Sequence, residues 1–300
     1  MSEAHYLGPP PERITVDAEQ VRRLVAEQFP DWAGLPVVPV AAGGWDNRTF
    51  RLGDSLLVRL PSAAEYALAV AKEQRWLPVL APALPVPVPV PRGQGSPGSG
   101  YPFPWSVYEW IDGVPASAHP VRDPVEFAED LADVIAALQG VDASGGPRPG
   151  THNWFRGGSL RTYDAQTHRA LAELGGEVDR TAALRIWSRA LASRGDGRDV
   201  WFHGDLAAGN VLLDHGRLSA VIDFGTCGVG DPACDVAAAW TLVSAEGRAA
   251  FRDRLRVDEG LWARGRGWAL WKTLVTCAAR RDASDRAAVD ARRALAEICS

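Results

Sequence analysis

The chain has 300 residues, of which 46% are hydrophobic and 23% charged, and its 37 acidic and 32 basic side chains give a formal net charge of -5. That composition suits one large or two ordinary globular domains and excludes disordered, collagen-like and coiled-coil chains. The acidic balance argues against a nucleic-acid binder, which carries a basic excess. No apolar run approaches the ~20 residues a membrane helix needs. The first ten residues lack the basic-then-apolar order of a signal peptide, so a cytoplasmic protein is expected. Cys227, Cys234, Cys277 and Cys299 show no CxxC spacing, so reduced, mostly buried thiols are expected rather than a zinc site or disulfide framework.

In chain order, residues 17–29 have helical spacing, with Val21, Leu24, Val25 and Phe29 on one face and Asp17 as a cap. Strand-like runs follow at Val37–Ala41, Thr49–Leu52 and Leu56–Leu60, and Gly53-Asp54 forms a hairpin turn between the last two. Residues 63–80 read as a helix with Leu68, Ala71, Arg75 and Leu77 among its periodic positions, and Pro78 disturbs its last turn. Prolines alternate with apolar residues over 82–92, which dictates an extended edge segment, and 93–100 reads as a flexible turn. Trp105, Val107, Tyr108 and Trp110 mark a strand that ends at Asp112-Gly113. The mostly β region before this point, 1–111, and the mostly helical region after it, 112–300, are expected to be separate lobes. Helical patterns then cover 124–139, 161–175, 179–193, 231–244, 246–255, 259–280 and 284–298, interrupted by a β-like stretch at 200–224.

That stretch carries the chemistry. His203-Gly204-Asp205 follows a short apolar run, Asn210 comes five residues after Asp205, and Asp223-Phe224-Gly225 ends the returning strand. A hairpin brings its ends side by side, so Asn210 and Asp223 are expected to face one space with Asp205 at its rim. Two oxygen donors suit Mg²⁺, which completes its shell with phosphates and water. A third carboxylate can take a proton from a hydroxyl. This is an inventory for phosphoryl transfer, and it follows the kinase template H-R-D-x-x-x-x-N…D-F-G except for Gly204 in place of Arg. A lone triplet of either kind arises by chance. Their joint occurrence in order does so rarely.

With Gly230-Asp231-Pro232 and Asp235 downstream, the sequence resembles the aminoglycoside phosphotransferase family, antibiotic kinases related in fold to protein, choline and homoserine kinases. The resemblance covers nearly the whole chain. It implies an α+β, two-lobed protein-kinase-like fold, with a small, mostly antiparallel β N-lobe and a larger helical C-lobe. It implies Asp205 as the catalytic carboxylate, and Asn210 and Asp223 as ligands of Mg²⁺ bridging the phosphates of ATP or GTP. Asp231 and Asp235 become structural, with Asp235 tying a helix to the catalytic loop and His203 bracing it.

In the N-terminal region, the loop with Gly43, Gly44 and Asn47 can offer backbone N–H groups to phosphate. No GxxxxGK[ST] occurs, which excludes a P-loop ATPase. Arg59 stands where the family commonly has a phosphate-binding lysine, and Arg is not equivalent to Lys there. Glu73 is the expected partner of Arg59. Backbone groups from Glu109 to Ile111 are the expected purine contacts.

The acceptor is expected to be a hydroxyl of a small molecule. An aminoglycoside would need carboxylates, for which Asp258, Glu259, Asp282 and Asp285 are candidates. Trp268 and Trp271, three apart on a helix, suit a macrolide if exposed, although core packing is the commoner role of such a pair. The loop from His152 to Gly158 is a further substrate candidate. A metabolic kinase acting on homoserine, choline or a sugar would carry the same motifs. A nucleotide-binding module without catalysis is favoured only by Arg59.

Overall fold

The computed structural model describes residues 11–40, 44, 46–195 and 197–300. The chain divides into two compact units, one running up to Asp112 and including Ile222–Gly225, the other comprising Gly113–Val221 and Thr226–Ser300. No helix among the described residues is long and apolar enough to cross a membrane.

In the first unit, helix α1 (Ala18–Gln28) starts where Asp17 accepts the Gln20 N–H, and it buries Val21, Leu24 and Val25. A five-stranded antiparallel sheet has the order β1-β2-β3-β5-β4. Its strands are β1 (Val37–Pro39), β2 (Asn47–Leu52), β3 (Leu56–Pro61), β4 (Pro91–Gly95) and β5 (Trp105–Glu109). Alternation decides which residues share a face. Phe50, Leu52, Leu56, Val58, Leu60, Trp105 and Val107 join α1 in one apolar core, each fully buried side chain contributing ~1.5–3 kcal/mol. Arg59 and its register partner Ser106 therefore lie on the opposite face, together with Tyr108.

Helix α2 (Ala64–Leu80) supplies side chains to those residues. Its buried stripe is Tyr66, Val70, Glu73, Leu77 and Leu80, at helical spacing. Leu68, one of the periodic positions, is half exposed. A carboxylate takes an inward position here, so hydropathy alone points to the wrong stripe. Pro78 lies inside the helix, which runs on to Leu80 before a single 3-10 turn. The stretch expected to be a flexible turn begins instead as β4: Gly93, Gln94 and Gly95 pair with Val107, Ser106 and Trp105. A Cβ at Gly95 would fall 2.0 Å from the Trp105 ring, so glycine there is a packing requirement.

The second unit is mainly helical: α3 (Pro124–Gln139), α4 (Asp164–Leu174), α5 (Arg180–Ala192), α6 (Ala233–Val236), α7 (Ala238–Thr241), α8 (Arg248–Arg254), α9 (Glu259–Ala279) and α10 (Arg286–Cys299). Two small sheets interrupt it. Strand β6 (Val114–Pro115) pairs with β8 (Val211–Asp214), which forms the expected hairpin with β9 (Arg217–Val221). Strand β7 (Val200–Phe202) pairs with β10 (Gly228–Gly230). The aromatic pair of α9, Trp268 and Trp271, is buried and packs on Tyr163. Cys227, Cys234 and Cys277 are buried free thiols, and Cys299 is half buried.

Candidate active site

The loop that bears Asp205 leaves β7 and is fixed from beneath. Asp235 of α6 accepts the backbone N–H groups of His203 and Gly204, both at 2.7 Å. Burial pushes the Asp235 carboxyl up, opposed by His203 and by the two N–H donors. The His203 ring accepts the Asp205 N–H, and Thr226 donates its hydroxyl to the His203 carbonyl. Gly204 sits at φ +84°, and a Cβ there would lie 2.9 Å from the Thr226 carbonyl oxygen. The loop therefore cannot hold the arginine of the H-R-D template without moving.

Asp205 is one-third exposed. Burial raises its carboxyl pKa, but Lys272 of α9, donating to Oδ1 at 2.5 Å, outweighs this, and with Arg156 and His203 it pulls the carboxyl down to about 2. Asp205 is thus a carboxylate at neutral pH. Asn210 donates through Nδ2 to the Asp205 carbonyl at 2.9 Å and to Oδ2 at 3.2 Å. That fixes the amide so that its Oδ1 makes no hydrogen bond among the described residues. Asp231 stays structural: it accepts the Ala233 N–H and a bidentate pair of bonds from Arg264.

In the other unit, Arg59 donates to Glu73 at 3.3 Å and to Asp223 Oδ1 at 2.7 Å. Burial alone would lower its pKa, but the two carboxylates and Tyr108 hold it well above the ordinary arginine value. Tyr108 donates its hydroxyl to the second Glu73 oxygen. Asp223 has φ +66°, a left-handed conformation rare outside glycine. Lys72 of α2 donates to the Gly225 carbonyl at 2.7 Å. Asn47 opens β2 opposite Pro61. Gly44 is exposed with open space at its Cβ position, whereas Gly43, like Ala41, Ala42 and Trp45, lies outside the described residues. At the end of β5, the Glu109 N–H bonds to Val90 and the Trp110 N–H to Ser55. Ile111 makes no backbone hydrogen bond among the described residues.

Each unit holds one oxygen atom of the donor chemistry that Mg²⁺ takes. Asn210 Oδ1 and Asp223 Oδ2 are hard donors without hydrogen-bond partners among the described residues. No group of three or more His, Cys, Asp or Glu that could hold a metal occurs among those residues.

The carboxylates considered for a cationic acceptor are largely committed elsewhere. Asp258 and Asp285 cap α9 and α10, and Glu259 pairs with Arg189 and Arg252. A cavity of about 440 Å³ lined by Cys277, Arg281 and Leu295 contains none of the expected site residues. A smaller recess is lined by Asp205, Lys272, Arg156, Trp268 and Trp271. Of these, the sequence marked Asp205, the Trp pair and the loop holding Arg156. It gave no signal for Lys272 beyond the rarity of lysine.

Residues 37–269 match the phosphotransferase enzyme family. The chain belongs to that family, and it is an enzyme that transfers phosphate to an alcohol acceptor. Solved structures share the two-lobed protein-kinase-like fold. The GDP and kanamycin complex of APH(2'')-IIIa is 18% identical with a TM-score of 0.69, over 93% of this chain and 97% of that one. Macrolide 2'-phosphotransferase type I is 24% identical with a TM-score of 0.60, over 94% and 98%. ADP-bound APH(2'')-Ib is 16% identical with a TM-score of 0.59, over 95% and 99%.

Proposed function

We propose that the chain is a cytoplasmic antibiotic kinase that moves the γ-phosphate of ATP or GTP to a hydroxyl of an aminoglycoside-like molecule. The carrying observation is Asp205. Its carboxylate is held ionised by Lys272 on a loop braced by Asp235, poised to orient an acceptor hydroxyl. The acceptor oxygen bonds to the γ-phosphorus as the bond from phosphorus to the β,γ-bridging oxygen breaks. The nucleoside diphosphate leaves, and the acceptor proton passes to Asp205. Asn210 and Asp223 would be the ligands of Mg²⁺, which would supply charge neutralisation of the phosphates. Arg59, oriented by Glu73, contacts phosphate with the Gly43, Gly44 and Asn47 loop. Backbone groups from Glu109 to Ile111 take the purine, and Ile111 has hydrogen-bonding groups to spare. Similar structures carry GDP in one case and ADP in another, which supports a nucleotide of either kind.

A second reading, a macrolide-type acceptor, is supported by the similarity to macrolide 2'-phosphotransferase type I, not by Trp268 and Trp271, which are buried. Nucleotide consumption with a panel of aminoglycosides, macrolides and primary-metabolite alcohols tests the assignment. Turnover of an antibiotic that Asp205→Ala abolishes, with nucleotide binding intact, is the expected result. Turnover of a primary metabolite alone overturns the antibiotic assignment. Equal background consumption by both forms overturns catalysis.

A further inference from the structure

Arg156 is a half-buried cation with no acidic partner within ion-pair distance among the described residues. Its loop is built to present it. Buried Asn153 accepts the Gly150 N–H and donates to the Arg156 carbonyl. Trp154 and Phe155 both take left-handed conformations, at φ +55° and +60°, which are costly for non-glycine residues. The guanidinium is clamped by donation to the Tyr163 hydroxyl at 2.9 Å and lies 4.5 Å from the Trp271 ring centroid. The Arg156 Cβ lies 3.2 Å from the Cβ position of Gly204, so the cation stands against the catalytic loop. Lys272 lines the same recess and uses one ammonium donor on Asp205, with no other partner among the described residues. Asp205 is the only carboxylate lining that recess, against two cations. Two cations thus face one lining carboxylate, with Asp235 behind the loop, and both cations keep donors without partners among the described residues.

We propose that Arg156 and Lys272 form an oxyanion subsite beside Asp205, taking a phosphate- or carboxylate-type group during the reaction. A fork of N–H donors and a point charge are a usual pairing for such anions. The anion has two possible sources: the phosphoryl group in transfer, or an acid group on the acceptor itself. This rests on Asp205 being the site of transfer.

The test is calorimetric titration of inorganic phosphate into the full chain, with the nucleotide site saturated by ADP or GDP. Wild type is compared with Arg156→Met, Lys272→Met and Lys272→Arg. Phosphate affinity is expected to fall at least tenfold in both Met variants and to recover in Lys272→Arg. Should Arg156→Met fail to fold, Lys272→Met decides the outcome alone. Unchanged phosphate affinity in a folded Lys272→Met overturns the subsite. In a second arm, kcat and KM are measured with one uncharged and one carboxylate-bearing alcohol. A fall in kcat for both assigns the site to the transferred phosphoryl group. A rise in KM for the carboxylate-bearing alcohol alone assigns it to the acceptor. Kinetics unchanged for both alcohols overturn the subsite. Wild-type phosphate binding without any transfer from nucleotide would sink the kinase reading and spare the subsite, so the two failures are distinguishable.

Discussion

Arg59 of β3 reaches Asp223, 164 residues later in the chain, at 2.7 Å, while its other terminal nitrogen holds Glu73 of α2. The Arg59 and Glu73 side chains are only 12% and 5% exposed, so removing the cation strands a buried carboxylate. Breaking such a pair costs about 3 kcal/mol. Arg59→Met should lower stability by that order in urea unfolding. Arg59→Lys, which cannot fork to both carboxylates, should lose less. A loss below about 0.5 kcal/mol for Arg59→Met would place the pair among exposed, weakly contributing ones.

Asp235 accepts two backbone N–H groups in a buried position. Hydrogen bonds to charged groups contribute ~1.5–3 kcal/mol each. Asp235→Ala should destabilise the chain by about 3 kcal/mol and lower kcat as the loop loses its brace. Full activity with wild-type stability would show that the loop is held by other contacts.

Gly204→Ala combines a left-handed backbone with a close approach to the Thr226 carbonyl. The expected loss is about 2 kcal/mol, with a drop in kcat because Asp205 is the next residue. Nucleotide affinity, measured by titration, should not change.

Asn210→Ala removes one proposed oxygen ligand of Mg²⁺ and also the amide that bonds to Asp205. The Mg²⁺ concentration for half-maximal turnover should rise about tenfold or more, and a chelator should stop wild-type turnover. Activity indifferent to the chelator refutes the metal assignment.

Asp133 of α3 takes a bidentate pair of bonds from Arg254 of α8, at 2.7 and 2.8 Å. The hydrogen bonds from Arg254 lower its carboxyl pKa, against a smaller opposing effect of burial. A lowered folded pKa means that the contribution is present above the unfolded value of about 4. It is lost as pH falls through the folded pKa. Asp133→Asn should therefore show a lower Tm than wild type at pH 7, with the gap closing below about pH 4. A gap that persists at pH 2 would point to packing instead of charge.

The sequence carried the site where the chemistry is local. Asp205, Asn210 and Asp223 stand at motif spacing, and the pairing of Arg59 with Glu73 was implied by the family resemblance. It did not reveal Lys272 or Arg156 as neighbours of Asp205, because these come from a helix and a loop 67 and 49 positions away. Only packing brings them to the loop. Strand β4 was hidden for a related reason. Gly93–Gly95 has no strand propensity of its own, and it is ordered by pairing with β5 and by the close approach of Trp105. Hydropathy does not mark the inward face of α2, because Glu73, a charge, stands among its buried residues.

Helix α9 carries the Trp pair of the interior, the Arg264 clamp on Asp231 and Lys272 on successive turns. Selection for new acceptors cannot readily alter that rod without loosening the interior it supports. The loop that bears Arg156 is no freer, since buried Asn153 and the Tyr163 hydroxyl hold it, so rod and loop are inherited together.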